Sequence, residues 1–134
     1  MFKIYFDGAI TKNPGGFASA GALITENGRI VKEVSEGIGY GENMTCNVAE
    51  WSALLKALTF MKSNNLQDEI IECYGDSQLV IRQCQGKYKI SKDSLYSLVA
   101  NECSKLLKQF RYISFHWIPR EMNLEADKLS RVAA

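Results

Sequence analysis

Two apolar stretches of this chain each run into an aspartate, and few folds have a use for a carboxylate at the end of a covered strand. The first is Phe2-Lys3-Ile4-Tyr5-Phe6-Asp7-Gly8, in which Phe2, Ile4 and Phe6 alternate with Lys3, Tyr5 and Asp7. That is the period of a β-strand, and its aromatic content suits a central, largely covered one. Gly8 then lets another backbone or a ligand come close. The second stretch, Glu69-Ile70-Ile71-Glu72-Cys73-Tyr74-Gly75-Asp76-Ser77, repeats the form. A short helix, Gln78 to Cys84, follows Ser77, so Asp76 stands at a strand-to-helix junction, where the ligands of open α/β sheets gather. A lone Asp-Gly often only ends a strand or caps a turn; the weight lies in the acids that recur along the chain.

Between these stretches the pattern is antiparallel. Asn13-Pro14-Gly15-Gly16 is turn chemistry, Phe17 to Thr25 is small and apolar, and Glu26-Asn27-Gly28 carries the Asn-Gly hairpin signal before Arg29 to Gly37 alternates again. Three antiparallel strands follow. The glycine-rich run Gly37 to Asn43 lacks the spacing and trailing lysine of a phosphate loop and is read as a linker. It introduces a helix from Thr45 to Ser63, with Val48, Trp51, Leu55 and Leu58 as its apolar stripe and Glu50 on the flank, from which a carboxylate can reach toward a strand end. After the second acid-ended strand, Lys87-Tyr88-Lys89 could grip a phosphodiester backbone, although a solvated turn reads equally well. Ser91 to Gln109 patterns as a helix with Leu95, Leu98, Val99, Leu106, Leu107 and Phe110 on one face, and Arg111 to Ile118 as a last strand ended by Pro119. Arg120 to Arg131 forms a final short helix with Asn123 and Asp127 one turn apart on one face. The expected architecture is α/β: a five-stranded mixed sheet, three antiparallel strands then two parallel, flanked by helices.

Composition bounds the setting. At 134 residues the chain is expected to be a single domain, 1–134, long enough to bury roughly two thirds of its unfolded surface. Sixteen basic and 15 acidic residues give a formal charge of +1, so any polyanion site must be local. Cys46, Cys73, Cys84 and Cys103 show no CxxC pair and read as buried free thiols in a reducing cytoplasm, not as a disulfide or zinc framework. No apolar run approaches the roughly 18 residues of a membrane span, so no membrane partner is expected.

Four blocks then stand in order: Phe6-Asp7-Gly8 with Asn13-Pro14-Gly15-Gly16; Thr45-x-Asn47-x-x-Glu50; Asp76-Ser77-Gln78; and Pro119-Arg120-x-x-Asn123-x-x-Ala126-Asp127-x-Leu129. Together, over essentially the whole chain, they resemble type 1 ribonuclease H, in its compact branch with Pro-Arg before the last helix. The resemblance implies a ribonuclease H-like fold and a monomeric endonuclease that hydrolyses the RNA strand of RNA/DNA hybrids to 5′-phosphate and 3′-hydroxyl ends. It implies two Mg²⁺ ions roughly 4 Å apart, with Mn²⁺ as a substitute, held by carboxylate oxygens. By resemblance Asp7 bridges both ions, Glu50 and Asp76 hold the ion on the leaving-group side, and Asp127 helps to hold the ion that carries the attacking water. Asn13, Asn47 and Gln78 would read the minor groove of the hybrid, Thr45 would hold a DNA-strand phosphate, and Lys87, Lys89 and Asn123 would join them on the substrate. The larger bacterial members carry a basic helical protrusion and a loop histidine. Here only Gln85 to Ile90 fills the gap, and the sole histidine, His116, lies in a strand and is read as packed. Arg120 is therefore the candidate for the histidine's work beside the scissile phosphate. The alternative is a catalytically weak nucleic-acid-binding protein of the same fold.

Overall fold

The computed structural model describes residues 1–132. Strand β1 (Phe2–Ile10) lies at the centre of a five-stranded sheet of order β3-β2-β1-β4-β5. It runs antiparallel to β2 (Phe17–Glu26), which runs antiparallel to β3 (Arg29–Tyr40). On its other side it pairs in parallel with β4 (Ile70–Gly75), and β4 pairs in parallel with β5 (Tyr112–Trp117). The mixed sheet read from the pattern is therefore the one observed. Both expected hairpin strands run longer, β1 to Ile10 and β3 to Tyr40, because β2 keeps pairing with each of them past their apolar runs.

Helix α1 (Cys46–Ser63) covers one face of this sheet, where Phe2, Ile4 and Phe6 meet Trp51, Leu54, Leu58 and Met61. Helix α3 (Ser97–Leu107) packs on the far side of α1, so α1 is buried on more than its stripe. Glu50 is only 7% exposed where one apolar stripe predicts a flank position, because α1 presents it directly against β1 at Gly8. Helix α2 (Gln78–Cys84) follows β4 with the bounds expected of it. Its Gln83 is buried and receives Trp51 Nε1–H at 3.3 Å while donating to Tyr96 Oη at 3.0 Å and to the Lys89 carbonyl at 3.1 Å, which ties the 85–96 segment to the core.

Helix α3 starts later than the sequence pattern implies. Ser94 donates its backbone N–H and its hydroxyl to the Ser91 carbonyl, at 3.3 and 2.7 Å, and Ser97 N–H bonds the Ser94 carbonyl. Such local serine bonds compete with helix propagation, so residues 91–96 form turns. Leu95 and Leu98, expected in the core, are 51% and 84% exposed. The last helix is also divided: Arg120–Met122 is one 3-10 turn, Asn123 departs from helical geometry at φ −117°, ψ 31°, and α4 (Leu124–Val132) follows. Helix α4 lies on the opposite face of the sheet from α1, with Ser19 Oγ donating to the Ser130 carbonyl at 2.5 Å and Ser35 Oγ to that of Leu129 at 2.6 Å. All four cysteines are free, but Cys46 is exposed, at the first turn of α1. Among the described residues no helix is long and apolar enough to cross a membrane.

Candidate active site

The two acid-ended strands are neighbours, and their parallel register brings Tyr5 beside Tyr74, so their C-terminal ends carry Asp7 and Asp76 to the same edge of the sheet. Helix α1 reaches that edge because Gly8 leaves room. A Cβ at Gly8 would lie 2.5 Å from both the Ala49 carbonyl carbon and the Glu50 nitrogen. This is the close backbone approach the sequence predicts at Gly8, and it delivers Glu50. The result is a cluster in which one carboxylate oxygen each from Asp7, Glu50 and Asp76 lies within 4.8 Å of the others.

Such crowding disfavours ionisation of the two buried members, Asp7 and Glu50. Burial, with the charges of Asp76 and Asp127 adding to it, pushes Asp7 up to about 7 against the lowering effect of its hydrogen bond with Glu50. Burial raises Glu50 well above the usual carboxylate range too, and the charge of Asp7 adds to this. Glu50 Oε2 is buried and has no hydrogen-bond partner among the described residues. An orphaned buried carboxylate oxygen is costly in a finished protein, and it fits a cluster completed by a cation. The donor set is all oxygen, as hard divalent ions such as Mg²⁺ require. The residues present therefore fit the metal the resemblance implies.

Asp127 stands close enough to Asp7 to help raise it, but it is not within that tight cluster. Its Oδ1 accepts the Arg131 Nε–H at 3.0 Å, an i,i+4 pair along α4. Asn123, expected on the substrate, is corrected by its surroundings: it is 1% exposed, and its Nδ2 donates to the Phe6 carbonyl at 2.9 Å and to Asp76 Oδ2 at 3.2 Å. Its amide serves the protein interior.

Asn13, Thr45 and Asn47 do come together, lining a groove of about 300 Å³ with the turn Ser94–Tyr96. Asn13 Oδ1 accepts the Cys46 N–H at 3.2 Å, and Thr45 caps α1, its hydroxyl accepting the Val48 N–H at 3.2 Å. The contribution of the 94–96 turn was not read from the sequence; serines at 91, 94 and 97 were its signal. Gln78 is exposed at the first residue of α2, and Lys87 and Lys89 are exposed on the following loop. Arg120 is exposed, and its side chain makes no hydrogen bond or ion pair among the described residues. His116 is packed: its Nε2 lies 2.9 Å from Ser114 Oγ, and its ring stacks on Tyr74, which stacks on Tyr5.

Comparison with known proteins agrees with this arrangement. Residues 5–133 match the family described as reverse transcriptase-like. The ribonuclease HI of Halobacterium salinarum is 36% identical over 129 residues, covering 96% of this chain and 62% of that protein. A bifunctional protein of Mycobacterium tuberculosis is 31% identical over 95% of this chain, which spans 34% of its length. The crystal structure of the Halobacterium RNase H1 superposes with a TM-score of 0.85 at 34% identity, covering 98% of this chain and 96% of that one. LC11-RNase H1, solved in complex with an RNA/DNA hybrid, also gives 0.85 at 34% identity, covering 96% of this chain and 93% of the other. With the sheet order, the acid cluster and these likenesses in agreement, the chain belongs to the type 1 ribonuclease H family.

Proposed function

We propose that this protein is a metal-dependent endonuclease that hydrolyses the RNA strand of RNA/DNA hybrids, acting as a single domain and a monomer in the cytoplasm. The observation that carries the reading is the Asp7–Glu50–Asp76 cluster, with the raised carboxyls of Asp7 and Glu50 and the unpartnered Glu50 oxygen. Acids this crowded gain nothing from one another and are accounted for by a cation. The hybrid complex of LC11-RNase H1, similar over nearly the whole chain, supports the substrate class. The four free cysteines support the reducing setting.

In this reading Asp7, Glu50 and Asp76, with Asp127 beside them, would hold two divalent ions, Mg²⁺ by preference with Mn²⁺ as a substitute. When bound there, such ions neutralise charge on the scissile phosphate and lower the pKa of an attacking water. The chain's own residues do the placing. Asp7 sits on the central strand of the sheet and is itself only 4% exposed, so its carboxylate has little freedom. The Gly8 N–H, donating to Asp7 Oδ1 at 2.9 Å, orients it further. Asn13 and Asn47 face the groove where 2′-hydroxyls and base edges can be read, and the Thr45 hydroxyl lies beside them to donate to a phosphate. Gln78, Lys87 and Lys89 extend this surface from α2 and its loop, and Arg120 offers a guanidinium to the phosphate from the 3-10 turn. Hydrolysis breaks the P–O3′ bond, leaving 5′-phosphate and 3′-hydroxyl ends.

The test is incubation of end-labelled RNA/DNA, RNA/RNA and DNA/DNA duplexes with Mg²⁺, Mn²⁺ or chelator. Cleavage of the RNA strand of the hybrid, lost in chelator, is expected. Hybrid binding without cleavage in either metal would replace the enzyme with a binding protein of the same fold.

A further inference from the structure

Asn123 occupies an unusual position for a polar residue. It is 1% exposed and among the largest fully buried side chains of the protein. Both N–H bonds of its amide have a target, the Phe6 carbonyl at 2.9 Å and Asp76 Oδ2 at 3.2 Å. Phe6 immediately precedes Asp7 on β1, and Asp76 directly follows β4. A single amide therefore ties the carboxylate of Asp76 to the strand that carries Asp7. Its backbone does the same for the third element: the Asn123 carbonyl accepts the Asp127 N–H at 3.0 Å, and the Asn123 N–H donates to the Arg120 carbonyl at 2.9 Å. Acids on β1, directly after β4 and on α4 are thus referenced to one residue.

The other end of the amide indicates what the residue is kept for. Asn123 Oδ1 is buried and has no hydrogen-bond partner among the described residues. A buried acceptor without a partner is destabilising, and an apolar residue of similar size would avoid that cost. Packing alone does not select asparagine here, and contact with substrate does not fit a side chain that is enclosed and whose donors are both in use.

We infer that Asn123 is a positioning residue that holds the Asp76 carboxylate in its metal-binding orientation, an inference that rests on the proposed metal-dependent function. Partners that orient a metal's ligands are worth about tenfold or more in metal affinity. The experiment is calorimetric titration of the free protein with Mn²⁺ for wild type, Asn123→Ala, Asp76→Asn and the double variant, alongside kcat and KM on hybrid at saturating metal. Asn123→Ala is expected to weaken Mn²⁺ binding about tenfold and to lower kcat with KM for the hybrid little changed. In the Asp76→Asn background it should weaken Mn²⁺ no further. Should Asn123→Ala fold poorly, Asn123→Val, which fills much of the same space without a donor, takes its place with the same expectation. Wild-type Mn²⁺ affinity in the folded variant overturns the inference. So does a rise in KM alone, or an undiminished loss in the Asp76→Asn background. If Asp76→Asn itself leaves Mn²⁺ binding intact, it is the functional reading that fails, and the two failures are told apart.

Discussion

Replacing Gly8 by alanine should damage stability and catalysis through one displacement. The added Cβ would lie 2.5 Å from the Ala49 carbonyl carbon and the Glu50 nitrogen, and 2.6 Å from Ala49 Cβ. Ordinary carbon contacts begin near 3.5 Å, so β1 and α1 must part by about 1 Å. All three obstacles belong to α1 itself, so no flexible side chain can swing away to relieve the clash. The helix is packed onto the sheet through the buried Trp51, Leu54, Leu58 and Met61 and is backed by α3, and parting it from the sheet costs about 1 to 3 kcal/mol. For a chain of this length that lowers Tm by roughly 3 to 10 °C. Because the Glu50 nitrogen is one of the two nearest atoms, the displacement passes to the acid cluster, where a misplacement of about 1 Å can lower kcat about a hundredfold. Thermal melts and single-turnover rates on hybrid measure both effects. Gly39→Ala is the matched comparison, since its Cβ would meet only Met44, with Sδ at 3.4 Å, and should change Tm little. Wild-type Tm and kcat in Gly8→Ala would refute the close-approach argument. A lowered Tm with unchanged kcat would show that α1 yields without moving Glu50.

Four further outcomes follow from the same geometry. Asp7→Asn should lower kcat by about four orders of magnitude, the scale of losing a core catalytic group, while circular dichroism shows an unchanged fold. Because burial raises Asp7 from 3.8 to about 7 and raises Glu50 in the same direction, the folded metal-free protein binds protons that the unfolded chain has released. Its stability should therefore fall as pH rises from about 4 to about 7 and stay low above that, an effect that melts in chelator will show, and that Asp7→Asn should reduce. Asn47→Ala and Gln78→Ala should each weaken hybrid cleavage by roughly 1 to 3 kcal/mol, mainly in KM, the cost of removing a partner from a polar group. Arg120→Ala should lower kcat at saturating hybrid, whereas His116→Ala should cost some Tm through its lost stacking on Tyr74 and leave kcat within about twofold once corrected for folded protein.

What the sequence disclosed depended on whether one element's own pattern settled the matter. Period-two alternation placed β1 and β3, and turn chemistry at Asn27-Gly28 placed the hairpin between β2 and β3, because these are local properties. The depth of Glu50 was not local. It depends on α1 lying against β1 at Gly8, and no wheel drawn for α1 alone contains β1. Leu95 misled in the opposite direction: apolar spacing continued through residues 91–96 while the Ser94 side chain closed a turn there, and Leu98, in the first turn of α3, is exposed as well. Asn123 was legible as part of a motif but not as a buried tie, since an Asn four residues before an Asp reads identically whether its amide faces a groove or a strand carbonyl. The pairing of Asp127 with Arg131 was available as an i,i+4 spacing, yet that Asp127 stands outside the tight acid cluster was not.

Gly8, Gly21 and Gly75 explain how the four acids come near one place. Gly21 is the register partner of Asp7 on β2, and the space its side chain would fill is taken by the Ala126 carbonyl and the Ser130 nitrogen of α4, the helix that carries Asp127. Gly8 yields its space to the Glu50 nitrogen. Gly75, just before Asp76, yields its space to the ring of Phe6, just before Asp7, whose Cζ would lie 2.8 Å from a Cβ there. Each missing side chain admits an element or ring next to an acid, and two of the three intruders are backbone that cannot swing aside. A methyl group at any one of them would move a different carboxylate relative to Asp7. The site is thus built from absent side chains as much as from charged ones, and its precision comes from main-chain contacts in the best-packed part of the protein. Such contacts keep the acids together despite their repulsion, because separating them would mean opening the core around Phe6 and Trp51.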